Sequence, residues 1–98
     1  MYTVIQLPEF VDWLRDIKDL STRIRLAKRL RKAELGNLGD VKAVGNTVCE
    51  MREFFGPGWR MYYVKRDDVL IVMLGGGEKS TQSADIAKAI SLAQSLED

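Results

Sequence analysis

The stretch that most restricts this chain is Gly56-Pro57-Gly58, set between two runs of β-type residues, "VCEMREF" (Val48 to Phe54) and "WRMYYV" (Trp59 to Val64). Proline fixes φ at one turn position and glycine supplies φ > 0 at the next. The two runs therefore fold back on each other as a hairpin. Period-two alternation places Cys49 and Met51 on one face of the first strand and Val48, Glu50 and Arg52 on the other. On the returning strand Arg60 shares a face with Tyr62, opposite Trp59 and Met61. A charged turn, Lys65 to Asp68, leads into "VLIVML" (Val69 to Leu74), apolar on both faces and so central to a sheet. The glycines after it are expected to end that strand.

Upstream, "YTVIQL" (Tyr2 to Leu7) reads as a strand stopped by Pro8, which suits the first turn of a helix. Phe10, Trp13, Leu14 and Ile17 then recur at three- and four-residue spacing, giving an amphipathic helix with Trp13 as its core anchor. "DLST" (Asp19 to Thr22) breaks it and offers Ser21 or Thr22 as the cap of a second helix, which runs to about Leu35 before Gly36 closes it. Ser83 caps a final helix from Ala84 to about Leu96, with Ile86, Ile90 and Ala93 inward. "GNLGDVKAVGN" (Gly36 to Asn46) reads as a mobile loop. The order is β-α-α-β-β-β-α: an α+β fold in which a small antiparallel sheet of about four strands carries an N-terminal helix hairpin and a C-terminal helix. At 98 residues the chain supports one core, so a single domain spanning 1–98 is expected.

With no histidine and only Cys49, the chain has no zinc site of the usual ligand types and no internal disulfide, which points to a reducing cytoplasm. No stretch has the length to span a membrane, and the start lacks the pattern of a signal peptide. No cofactor is implied. The net charge of +1 hides an asymmetry: residues 1–33 hold eight Lys/Arg against four Asp/Glu, and residues 34–98 hold seven against ten. Most of the excess sits in helix two, where Arg23, Arg25, Lys28, Arg29, Arg31 and Lys32 fall within ten residues with no acid among them. Like charges three and four apart on a helix repel, so an anionic partner, nucleic acid or an acidic protein segment, relieves that cost. A solubilising surface helix is the plainer reading.

On the strands, Arg52 and Arg60 can share one open face, with Lys79 closing on it from the end of the next strand. Three cations so placed can grip a phosphate and stabilise the charge that builds when a ribose 2′-hydroxyl attacks it. The competing reading is that the arginines pair with Glu50 and Glu53 across the sheet. "LGGGEKST" (Leu74 to Thr81) invites comparison with a nucleotide-binding P-loop, but Glu78 precedes the lysine and Met73 stands where the loop needs its first glycine. A carboxylate beside Lys79 would repel the phosphates such a loop cradles.

Three pieces in order, the E-x-R strand at Glu50 to Arg52, the G-P-G-x-R-x-Y-Y hairpin at Gly56 to Tyr63 and the G-G-x-K-S-T-Q-x-x-D-I segment at Gly76 to Ile86, resemble the addiction-module killer proteins. These are the HigB-like and phage-Gp49-like branch of the RelE/ParE toxin superfamily, and the resemblance runs over nearly the whole chain. It implies a cytoplasmic toxin of a type II toxin-antitoxin module, silenced by a cognate helix-turn-helix antitoxin and acting as an endoribonuclease on mRNA in the ribosome. Carried over residue by residue, Arg60 matches the hairpin arginine that stabilises the phosphate, and Lys79 falls near the basic residue after the last strand. Arg52 matches the arginine of the E-x-R strand, structural or substrate-binding. Tyr62, on the Arg60 face, is the candidate for base stacking or proton transfer. Members that use histidine or a C-terminal tyrosine for acid-base work differ from this chain, which has neither. Proton transfer therefore falls to Glu50, Lys79 or a tyrosine, or catalysis is electrostatic. RNA contacts are expected from Arg52, Arg23, Arg25, Lys28, Arg29 and Lys32. Two other readings stand beside the nuclease: an inhibitor of DNA gyrase, which needs no proton transfer, and an inactive partner-binding module.

Overall fold

In a computed structural model, which describes residues 1–97, a sheet lies between two helical layers. The elements are β1 (Thr3–Gln6), α1 (Pro8–Arg15), α2 (Leu20–Glu34), β2 (Val41–Gly45), β3 (Val48–Arg52), β4 (Trp59–Arg66), β5 (Leu70–Glu78) and α3 (Gln82–Ser95), with a 3₁₀ turn at Lys79–Thr81. The sheet order is β1-β5-β4-β3-β2. The fold is α+β, with a five-stranded mixed sheet and three α-helices among the described residues.

The sheet differs from the sequence expectation in three ways, each with a local cause. A fifth strand, β2, occupies part of the stretch read as a loop. Asn46 and Thr47 take positive φ (46° and 69°), a turn whose twist suits a tight hairpin, and Val41 pairs antiparallel with Met51. The sheet is mixed rather than antiparallel because β1 runs parallel to β5, Thr3 beside Leu70 and Gln6 beside Met73; a long excursion through the helices and β2–β4 separates the two strands, as parallel pairing requires. The glycines do not end β5, which continues through Gly75, Gly76 and Gly77 to Glu78. The Gly56-Pro57-Gly58 hairpin forms as expected, with Arg52 opposite Arg60 and Glu50 opposite Tyr62, and with positive φ at Gly56 and Gly58.

Alternation divides the core between the two faces. Met51, Met61, Tyr63, Ile71 and Met73 meet Phe10, Ile17, Leu26, Leu30 and Ala33 of the helix hairpin. Val48, Tyr62, Val64, Val72 and Leu74 meet Ala89 and Ala93 of α3. The helix hairpin therefore lies opposite Arg52 and Arg60, as the alternation predicts, but the arginine face is not open: α3 covers much of it.

The glycine run is explained by what approaches it. The register slips between Tyr62 and Tyr63 of β4, so Gly76 turns toward α1 and Gly77 toward α3. A Cβ on Gly76 would lie 2.5 Å from the Trp13 ring, and one on Gly77 would collide with the Asp85 carboxylate. Among the described residues, no helix is long and apolar enough to cross a membrane.

Candidate functional site

The chain reverses at Gly56-Pro57-Gly58, and there Arg52, the last residue of β3, and Arg60, the second of β4, stand directly opposite on one face. Like charges so placed repel, and each is held by its own acid. Arg52 Nη2 donates to Asp40 Oδ1 at 2.9 Å; that bond, chiefly, holds the Asp40 carboxyl below its ordinary range. Arg60 is only 6% exposed. Its Nη1 donates to the carbonyls of Glu53 (3.0 Å) and Trp59 (3.1 Å), and its Nε lies 4.0 Å from Glu50 Oε1. Glu50, 1% exposed, in turn accepts both bonds of Gln82 Nε2, at 3.1 and 2.9 Å. A buried charge is costly unless paired and hydrogen-bonded; the two carbonyls hold Arg60 at Nη1, and Glu50, fixed by Gln82 of α3, supplies the counter-charge at ion-pair distance. Among the described residues Nη2 makes no hydrogen bond, and the buried Nε, which faces Glu50 from beyond hydrogen-bond distance, has no partner either.

Lys79 reaches the same point. A Cβ built on Gly58, whose φ is +80°, would lie 3.1 Å from Lys79 Cβ and 3.6 Å from Arg60 Nη1. Only a glycine there lets the lysine stem, the turn and the guanidinium meet. Lys79 itself is exposed. The result is a buried guanidinium with an unbonded Nη2, an exposed lysine packed against the same turn and a second guanidinium across the hairpin.

Other expected site residues are placed differently. Tyr62 lies on the Arg60 face, yet α3 buries it completely, its hydroxyl has no hydrogen-bond partner among the described residues, and burial above all, then the Glu50 and Asp85 charges, pushes its pKa well above the ordinary phenol value. It has no surface on which to stack a base. Glu50 is equally enclosed and serves as the counter-charge of Arg60. Arg29 leaves the basic row as well: it is 9% exposed and its guanidinium donates to the carbonyls of Leu38, Asp40 and Arg52 and to Glu53 Oε1. It ties α2 to the ends of β2 and β3. The expected pairing of arginines with Glu50 and Glu53 is thus present, but the partner of Glu53 is Arg29.

Arg25, Lys28 and Lys32 remain exposed and, with Arg29 and Glu53, line a groove of about 340 Å³. Arg25 stacks over the Phe55 ring at 3.6 Å, which joins this groove to the hairpin. Arg23 is half-buried.

The glycine-lysine segment does not have the conformation of a phosphate-binding loop. Gly75 to Gly77 are strand, and the Glu78 carboxylate accepts the backbone N–H of Thr81 at the start of the 3₁₀ turn, the position an anion would need. The cleft beside the glycines, about 70 Å³, is lined by the carboxylates of Glu9 and Asp85 against one lysine, Lys88.

Two residues that matter here had no role assigned from the sequence. Gln82 is the glutamine of the G-G-x-K-S-T-Q segment, and Phe54 is the first ring of "FF". The structure leaves Phe54 74% exposed with the Arg52 and Arg60 guanidiniums each 5.8 Å from its ring centre.

An uncharacterized protein of Haemophilus influenzae is 39% identical over 87 residues, covering 89% of this chain and 88% of its own length. This chain belongs to that protein's family. The family membership carries no activity with it. No family model and no solved structure matches the chain.

Proposed function

We propose that the protein is a RelE/ParE-type toxin of a type II toxin-antitoxin module, cytoplasmic, and that it cleaves mRNA in the ribosome. The observation that carries the reading is the guanidinium of Arg60: buried, bonded through Nη1 to two carbonyls, faced by the Glu50 carboxylate, unbonded at Nη2, and set opposite Arg52 at the turn against which Lys79 packs. Fixed donors aimed where negative charge develops contribute more to a transition state than to binding. In the proposed step the ribose 2′-oxygen forms a new bond to phosphorus and the 5′-oxygen leaves. Arg60 Nη2 takes the extra charge on the non-bridging oxygens, and Lys79 gives a proton, or its charge alone, to the leaving oxygen. Glu50 and Tyr62 are enclosed and do not take the 2′ proton; solvent or the ribosome receives it. Arg25, Lys28 and Lys32 hold flanking phosphates or the acidic segment of a helix-turn-helix antitoxin.

Burial of Glu50 and Tyr62 also favours the second reading, a toxin that binds DNA gyrase and transfers no proton. Primer extension on cellular mRNA after induced expression separates the two. Codon-phased cuts are expected from the nuclease; loss of DNA supercoiling with intact mRNA would replace it with the gyrase inhibitor.

A further inference from the structure

Phe54 and Phe55 are neighbours with opposite fates. Phe55 packs toward the helix-hairpin core beneath Arg25, whereas Phe54 stands 74% exposed on the arginine side of the turn. An exposed ring by itself means little. This one lies 5.8 Å from each of two guanidiniums, which belong to the like-charged pair opposed across β3 and β4. A nucleotide joins a flat apolar base to a phosphate through one sugar, and ring and guanidiniums offer both chemistries at comparable spacing. We infer that Phe54 is a stacking platform for one unpaired nucleobase, whose neighbouring phosphate reaches the unbonded Nη2 of Arg60.

The inference rests on the nuclease reading and names the side chain that holds an unpaired base next to the phosphate that is cut. Every base has a π-face, so a lone phenyl ring selects for unpaired strand and not for sequence. It makes no hydrogen bond to a base edge, and codon preference must come from elsewhere. The hairpin tip also suits the role. Glu53 N still bonds Trp59 O at 3.0 Å, so the ladder holds the chain up to the residue before Phe54, and the ring projects from a fixed base.

The test uses ribosomes programmed with a short mRNA carrying either natural bases or one abasic ribose, placed in turn on each side of the scissile phosphate. Phe54→Ala should slow cleavage of the natural mRNA by about tenfold or more, and Phe54→Trp should hold it close to the wild-type rate. With the abasic ribose at the stacked position, wild type and Phe54→Ala should be equally slow. If Phe54→Ala slows natural and abasic mRNAs by the same factor at both positions, or leaves the natural mRNA unaffected, the stacking platform is overturned while wild-type cleavage keeps the nuclease standing. Absence of cleavage by folded wild-type protein removes both.

Discussion

Tyr62 shows how a residue can hold the expected place and have no access to the expected work. Its ring fills the layer between β4 and α3, and its hydroxyl finds no partner among the described residues. A buried hydroxyl without a partner costs about 1–3 kcal/mol, so Tyr62→Phe should leave stability unchanged or raise it in denaturant unfolding at neutral pH. Its raised folded pKa sets the sign at high pH. The stabilising contribution is complete below the unfolded value of about 10 and is lost as pH rises toward the folded one. Tyr62→Phe should therefore weaken the alkaline loss of stability. Cleavage should persist in Tyr62→Phe; a large drop in rate with the fold intact would return the hydroxyl to the mechanism.

At the scale of elements, the contact between β5 and α3 is set by what glycine leaves out. Gly77→Ala would drive a methyl into the Asp85 carboxylate, which also accepts a hydrogen bond from Thr81 Oγ1. Overpacking of this kind costs about 1–3 kcal/mol. Denaturant titration should show that loss in Gly77→Ala and a partial recovery in the double variant with Asp85→Ala; an undiminished midpoint for the single variant would mean that α3 does not seat on β5 as described. The same contact explains the limits of the sequence reading. Turn chemistry and alternation made the hairpin, the Arg52–Arg60 face and the helix pair legible, because each is encoded within a few residues. That α3 would land on the arginine face is a long-range outcome, since Val72 and Leu74 on one side and Ile71 and Met73 on the other leave both faces equally apolar. The parallel β1–β5 pair is non-local in the same sense. Strand β2 is hidden for a different reason: "VKAV" is short and set between Gly39-Asp40 and Gly45, so its pairing with β3 outweighs a loop-like composition. Arg29 looked like one more charge in a basic row because sequence spacing does not reveal which helix face meets the ends of β2 and β3.

For the whole molecule, one end of the sheet gathers the candidate site. The hairpin tip brings Arg52, Phe54, Arg60 and Lys79 together, and Phe55 links them to the exposed cations of α2. This accounts for a near-neutral chain with a basic first third: acids elsewhere balance the total while the hairpin end and the α2 groove keep unpaired positive edges. The central claim is that Arg60 stabilises charge on a phosphate. Arg60→Ala alone would strand a buried Glu50, a change that destabilises by about 3–5 kcal/mol, so the informative comparison is Glu50→Gln against Glu50→Gln with Arg60→Ala, both shown to be folded. Single-turnover cleavage of mRNA on programmed ribosomes should fall by about 10²-fold when the guanidinium is removed, with ribosome binding affected far less. Equal cleavage rates in the two folded variants would contradict the account.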